Sequence, residues 1–325
     1  MSEGKVALVL GATGGIGGEM AGRLAMAGWT VRALHRNPEH LAAHRHGVEI
    51  AWLKGDAMRS DDVAQAAGGA SLIVHAVNPP GYRDWDKLVL PMLDNSIAAA
   101  RANEARIVLP GTVYNYGPDA FPLIAEDAPQ RPRTRKGAIR VEMERRLHTA
   151  VDQGVRTLIV RAGDFFGPRA ANNWFSQGLV TPGRLVKAVM NPAVRGVGHQ
   201  WAYLPDVAET MMRLFEHEQE LPAFATFHMD GHWDADGAAL TGAIKWAVGR
   251  PDLPIHRFPW WLVQVASPVV PLFRELSEMR YLWRTPVRLA NGRLLKLLGS
   301  EPHTPLDDAV RSTLEGMGCI APTAA

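Results

Sequence analysis

The chain has 325 residues, 47% hydrophobic and 21% charged, which suits one large soluble α/β domain or a domain and a half. Its 35 basic and 33 acidic residues leave a formal charge of +2, a balance that gives no reason to expect nucleic acid or an anionic membrane as the main partner. The single cysteine, Cys319, excludes an internal disulfide and a thiolate metal site, and fits a cytoplasmic location.

Lys5–Leu10 reads as a strand; only four residues precede it, so no signal peptide is expected. Gly15–Ala27 follows as a helix and Thr30–Leu34 as a second strand. The next stretch reads as helical. In it His40 and His44 share a face at a metal-binding spacing and His46 lies close by, but no carboxylate is placed beside them and no metal is expected. Strands at Val48–Leu53, Leu72–Ala76, Arg106–Leu109 and Arg156–Val160 then alternate with helices near Asp61–Ala67, Lys87–Asn103 and Gly137–Asp152. Apolar strands separated by helices predict a parallel sheet covered on both faces. Right-handed crossovers make it a doubly wound, Rossmann-type α/β fold.

Beyond Arg161 glycine, proline and tryptophan become frequent, and seven of the ten tryptophans lie between Trp174 and Trp283. Asp206–Glu216 reads as a helix and Ala225–Met229 as a late strand that rejoins the sheet. Residues 1–163 and 205–230 are therefore expected to form a dinucleotide-binding domain. Residues 164–204 and 231–325 are expected to form a smaller, mostly helical substrate lobe. The apolar stretch Trp260–Phe273 is broken by Pro268 and Pro271 and is too short to span a bilayer. It reads as a buried or substrate-facing helix, with shallow membrane contact the lesser alternative. A final helix is predicted with Thr304 as N-cap, Pro305 in its first position, and Asp307 and Asp308 at its positive end.

The motif that carries most chemistry is Gly11-Ala12-Thr13-Gly14-Gly15-Ile16-Gly17, which leaves the first strand and opens the first helix. Gly11 permits the sharp turn, Gly14 lets backbone approach a pyrophosphate, and Gly17 lets the helix pack on the strand. Amides of the helix start then hold the phosphates. Gly11, Thr13, Gly14, Gly15, Ile16 and Gly17 are thus the expected cofactor cradle. The second strand ends in Arg36 where an acid would grip the ribose of NAD. A guanidinium there suits a 2′-phosphate, so NADP is expected over NAD, with help from Arg32 if its side chain faces the same way. Asp56 and Ala57 are placed at the adenine edge, although Asp56 reads equally well as a turn or cap residue. His75, Ala76 and Val77 line the cofactor, with Asn78 next to them on the substrate side.

Three further segments, together with the glycine loop, carry a resemblance. They are Thr112-Val113-Tyr114-Asn115-Tyr116-Gly117-Pro118, Arg161-Ala162-Gly163-Asp164-Phe165-Phe166-Gly167-Pro168, and Trp201-Ala202-Tyr203-Leu204-Pro205-Asp206-Val207-Ala208. The chain resembles the extended, or atypical, short-chain dehydrogenase/reductase superfamily, whose best-known branch is the NAD-dependent epimerase/dehydratase family. The resemblance implies that Thr112 hydrogen-bonds the reacting oxygen and that Gly163 adjoins the cofactor. It further implies a Tyr with a Lys four residues on, which supplies the proton and holds the nicotinamide ribose. This chain departs there: the matching segment is Lys136-Gly137-Ala138-Ile139-Arg140, with Glu144 one turn on. Lys136 becomes the candidate proton donor and Arg140 the group that orients the cofactor. Tyr114 is an alternative donor, on the same strand face as Thr112 if the strand runs that far. Tyr116, Asn173 and Trp174 are expected on the substrate side. The basic run Arg131, Arg133, Arg135 reads as an exposed loop or as a guide for an anionic substrate, and no Gly-x-Ser-x-Gly elbow is present.

Two functions follow. One is an NADP-dependent oxidoreductase acting on a carbonyl or secondary alcohol, with nucleotide-sugar epimerase or dehydratase chemistry as a variant. The other is a non-catalytic NADP(H)-binding regulator or scaffold. The resemblance also implies a homodimer paired through Lys87–Asn103 and Gly137–Asp152.

Overall fold

In a computed structural model of the chain, which describes residues 5–41, 44–45, 47–79, 85–170 and 173–321, the architecture follows from the alternation along strand β1 (Val6–Leu10). Ala7 and Val9 enter one core with Met20, Leu24 and Met211, and Leu8 and Leu10 enter another with Val63 and Leu93. A strand with apolar residues on both faces must be covered on both, hence its unbroken apolar sequence.

Six more strands continue the sheet: β2 (Thr30–His35), β3 (Ala51–Lys54), β4 (Leu72–His75), β5 (Arg106–Gly111), β6 (Arg156–Arg161) and β9 (Phe224–His228). All pair parallel, in the order β9-β6-β5-β4-β1-β2-β3. Helices α1 (Gly15–Met26) and α5 (Leu204–Glu216) cover one face. Helices α2 (Ser60–Ala67), α3 (Trp85–Ala102) and α4 (Arg135–Ala150) cover the other. The doubly wound sheet is the one expected, down to the late strand at its edge. Strand order reverses between β1 and β4, which opens a crevice at the carboxyl ends.

Several local expectations fail. The stretch holding His40 and His44 does not form a helix: Pro38–His40 is one 3-10 turn, and His44–Arg45 pairs antiparallel with Val48–Glu49. The chain reverses at Gly47 (φ +75°), so no i, i+4 histidine face exists; His46 and Asn172 lie outside the described residues. The run Val48–Leu53 correspondingly splits, and only Ala51–Lys54 joins the main sheet. Thr304 does not cap the last helix. Its hydroxyl and amide both donate to Asp206, each at 2.7 Å, which fastens the C-terminal segment to the start of α5.

Outside the large sheet, β7 (Asp164–Phe166) and β8 (His199–Tyr203) run parallel, and β10 (His232–Asp234) pairs antiparallel with β8. Phe166, Trp201, Tyr203 and Trp283 pack there with α6 (Ala239–Val248) and the last helix, α10 (Leu306–Gly316), whereas α9 (Gly292–Leu298) packs into the main-sheet core. The stretch Trp260–Phe273 is not one buried helix. Pro268 and Pro271 separate α7 (Trp260–Ala266) from α8 (Pro271–Met279), and Trp261, Val265 and Val269 are 68%, 72% and 80% exposed. Among the described residues no helix is long and apolar enough to cross a membrane.

Candidate active site

The glycine loop sits at the crevice. Gly11 has φ +87°, and a Cβ there would lie 2.5 Å from the Ala76 carbonyl oxygen, so the close approach of β1 to the end of β4 needs glycine. A Cβ on Gly17 would lie 2.3 Å from the Gly11 carbonyl oxygen, which is how α1 starts directly on the turn. Gly14 is the N-cap of α1 and brings no capping side chain, and Thr13 and Gly14 are exposed. Gly15 and Ile16 open the helix's first turn, whose amides lack intrahelical acceptors. These are the features a pyrophosphate needs.

Around this cradle the expected cofactor residues divide. Arg36 is exposed just past β2, and the next acid along the chain, Glu39, is paired with Lys54 at 3.1 Å. Arg32 points elsewhere: it donates to the Ala66 and Gly68 carbonyls at the end of α2, so it offers nothing to a ligand beside Arg36. Asp56 forms a turn, accepting the Met58 amide at 3.0 Å, and the Ala57 carbonyl accepts from Asn95. His75 is 2% exposed, its Nδ1 2.8 Å from Ser96 Oγ, and burial followed by the charge of Arg140 lowers its pKa to about 3. It is a neutral imidazole. Val77 is half-buried and Asn78 exposed beside it.

β5 ends at Gly111, and Thr112 caps a 3-10 turn, Val113–Asn115. Thr112 Oγ1 accepts the Tyr114 amide at 3.3 Å. The strand therefore stops short of Tyr114, and the shared face expected of Thr112 and Tyr114 does not form. The start of α4 abuts this turn, since a Cβ on Gly137 would lie 2.2 Å from the Tyr114 carbonyl oxygen. Thr134 caps α4 by accepting the Gly137 amide at 3.0 Å. Lys136, second residue of α4, is buried, and Arg140 lies one turn on, its guanidinium 5.1 Å from the centre of the Trp85 ring. Arg135 and Lys136 place two cations at the positive end of the helix, with no acid in its first turn. That arrangement works against helix stability.

A buried polar network backs Thr112. Asn115 Nδ2 donates to Gln130 Oε1 at 2.9 Å and to Glu144 Oε1 at 2.8 Å. With both amide protons used, its Oδ1 accepts from the Thr112 hydroxyl at 3.3 Å. Gln130 Nε2 donates to the other Glu144 oxygen at 2.7 Å, and Arg161 grips both oxygens from β6. Flipping the Asn115 amide would point its oxygen at a carboxylate, so the orientation is fixed by charge. The Thr112 proton is directed inward but held by a long bond, beyond the usual ~2.7–2.8 Å for hydroxyl donors. A better acceptor arriving at the crevice can take it.

The sequence pattern of the NAD dependent epimerase/dehydratase family matches residues 7–228. The chain belongs to this family. Residues 7–228 run from β1 through the closing edge strand β9, so the family pattern covers the whole sheet and the Thr112 and α4 turns. A (4-alkanoyl-5-oxo-2,5-dihydrofuran-3-yl)methyl phosphate reductase of Streptomyces griseus subsp. griseus is 34% identical over 134 residues, which are 41% of this chain and 42% of that protein. The chain thus matches less than half the length of that curated relative. Among solved structures, MoeE5 in complex with UDP-glucose and NAD superposes with a TM-score of 0.72 at 17% identity, covering 96% of this chain and 98% of its own. The Bordetella bronchiseptica enzyme WbmH in complex with NAD+ gives 0.70 at 18% identity, covering 97% and 100%. At such identities the likeness is one of fold.

In this epimerase/dehydratase fold, several residues expected at the substrate side are occupied otherwise. Tyr116 is 1% exposed, its hydroxyl 3.3 Å from His228 Nε2 and its ring beneath Arg161, so it is a core residue. Asn173 accepts the Ser176 amide at 2.8 Å and serves the turn that follows. Trp174 packs edge-on against Trp283, with ring centres 5.1 Å apart, in an aromatic cluster with Phe258 and Trp260. Gly163 is needed for packing: a Cβ there would lie 2.2 Å from the Gln200 carbonyl oxygen. Asn115 and Arg161 stand in the motif segments with no role of their own, and Gln130 lies outside them, yet all three back Thr112. Asp164, also in a motif segment, and His199, outside them, lie 2.8 Å apart and are pinned by the stack of His199 on Trp283. Val113, Gly163, Asp164, His199, Leu282 and Val287 line one small cavity, so this pair adjoins the Thr112 turn.

Proposed function

We propose that the chain is an NADP-dependent oxidoreductase acting on a carbonyl or secondary alcohol, with epimerase or dehydratase chemistry on a sugar-like substrate as a variant. The observation that carries this reading is the contact of the Thr112 turn with the first turn of α4, at the carboxyl end of a sheet whose glycine loop fits a dinucleotide. Gly11, Thr13, Gly14, Gly15, Ile16 and Gly17 hold the pyrophosphate. Arg36 takes the 2′-phosphate. Asp56 and Ala57 meet the adenine edge, and His75, Ala76 and Val77 line the cofactor by backbone. NADPH held there would supply the hydride that reduces the carbonyl carbon. Thr112 donates to the substrate oxygen, Lys136 moves the proton at that oxygen, and Arg140 orients the cofactor. Asn78 flanks the substrate, which the lobe of residues 164–204 and 231–325 covers, while 1–163 and 205–230 bind the dinucleotide. The reductase relative favours the reductive direction.

Calorimetry with NADPH and NADH, on wild type beside Arg36→Ala, tests the cofactor assignment. Loss of one charge-assisted contact should weaken NADPH binding by about 10- to 100-fold and leave NADH binding nearly unchanged. Equal effects on both would remove the preference for NADP. A Lys136→Ala protein with undiminished turnover would remove the proton donor. The replacement of the family's Tyr and Lys by Lys136 and Arg140 supports a second reading, a dinucleotide-binding regulator. NADPH binding with no oxidation across a ketone panel would favour it.

A further inference from the structure

A pyrophosphate at the glycine loop would bring negative charge to the start of α1, yet the chain buries an acid on that same helix. Glu19, the fifth residue of α1, is 5% exposed. It lies one turn after Gly15, about 6 Å along the axis, and helical side chains lean back toward the N-terminus. The Glu19 carboxylate thus leans toward the turn whose amides face the phosphates. An unneutralised carboxylate there would compete with the ligand for the positive end of the helix and repel it in surroundings of low dielectric.

Arg169 meets that charge from the segment after β7. Its Nη2 donates to Glu19 Oε1 at 2.8 Å. The backbone around it is closely held. A Cβ on Gly15 would lie 3.4 Å from Ala170 Cα, and one on Gly316, at the end of α10, would lie 2.4 Å from Pro168 Cβ. Residues 168–170 therefore pass between the start of α1 and the end of α10. The neighbouring charges do not replace Arg169. Asp206 is a second acid of the same cluster: burial, then the charges of Asp206 and Glu19, push the Tyr203 phenol up, against Ser312 and Arg169. Arg23, one turn beyond Glu19, is held by Glu209, which Arg213 also meets. We propose that Arg169 is a determinant of dinucleotide affinity, supplied from outside the glycine loop, which neutralises Glu19 beside the pyrophosphate. The inference rests on the dinucleotide reading above and extends it. Its effect is common to NADPH and NADH, which share the pyrophosphate, whereas Arg36 answers to the 2′-phosphate alone.

The test is calorimetric titration of the full chain with NADPH and NADH, on wild type, Arg169→Ala, Glu19→Gln and the double variant. Arg169→Ala should weaken both nucleotides by about tenfold or more. Glu19→Gln should bind both at least as tightly as wild type. The double variant should regain most of the affinity that Arg169→Ala loses, because the acid that Arg169 offsets is gone. A pair that only fastens the structure gives the opposite pattern: Glu19→Gln weakens binding as Arg169→Ala does, and the double variant stays weak. That pattern overturns the proposal, as does an Arg169→Ala protein that binds both nucleotides like wild type. Should Arg169→Ala fail to fold, Glu19→Gln alone decides, since any loss of affinity there overturns the proposal. Wild type that binds neither nucleotide removes the dinucleotide reading itself, and this inference with it.

Discussion

Each glycine of the loop answers to one neighbouring atom. The Gly17 Cα faces the Gly11 carbonyl so closely that an added methyl has no flexible side chain to displace, only backbone. Gly17→Ala should therefore lift α1 from β1, costing about 1–3 kcal/mol of stability in urea unfolding and weakening NADPH binding in calorimetry. Thr112 depends on Asn115 in another way, through the direction of one proton. Asn115→Leu should lower kcat about tenfold while leaving cofactor affinity intact. If Asn115 acts through Thr112, the Thr112→Ala/Asn115→Leu protein should be no slower than Thr112→Ala alone. Multiplied losses would show an independent role. The glycines were legible in the sequence because positive φ and close approach leave a trace in residue type. The partners of Asn115 were not. Gln130 and Glu144 lie 15 and 29 residues away, and no one-dimensional spacing encodes a hydrogen bond that tertiary packing creates.

Among elements, α4 and β6 are bound through Glu144 and Arg161, both almost wholly buried. The pair fits because Gly111 on the neighbouring strand leaves room: a Cβ there would lie 2.6 Å from Arg161 Cγ. Glu144→Gln should leave a buried guanidinium poorly matched and cost about 3–5 kcal/mol in denaturant unfolding. Glu144→Leu with Arg161→Met should recover part of that loss by removing both charges. Apart from Val48–Leu53, which splits, strand and helix positions in the sheet were readable to within a residue or two, because both-face burial produces unbroken apolar runs and the helices keep their 3.6-residue period. Trp260–Phe273 was misread for a complementary reason. Apolar composition reports burial only when something is available to bury it, and two prolines turn this stretch along the surface instead.

For the molecule as a whole, three buried histidines set the acid limit. Burial, aided by Arg140, Arg161 and His303 respectively, lowers His75 and His228 to about 3 and His232 to about 4. In the unfolded chain each titrates near ~6.5. Below that pH the unfolded state takes up protons that the folded state refuses, so stability present above pH ~6.5 is lost as pH falls toward the folded values, by up to about 1.4 kcal/mol per pH unit for each histidine. Urea unfolding at pH 7, 6 and 5 should show this decline, with a shallower slope in His228→Phe. A slope that the variant shares with wild type would place the acid sensitivity elsewhere.

The place of β9 at the sheet edge has a consequence for how the chain is made. β6 is complete at Arg161, but its pairing partner begins at Phe224. While the ribosome adds residues 162–223, at ~5–20 per second, β6 offers its backbone amides and carbonyls, and the flanks of Leu158 and Val160, to any strand that passes. For those seconds the nascent chain carries an adhesive margin that β9 covers in the finished protein. Chains released before residue 228 should therefore accumulate as aggregates.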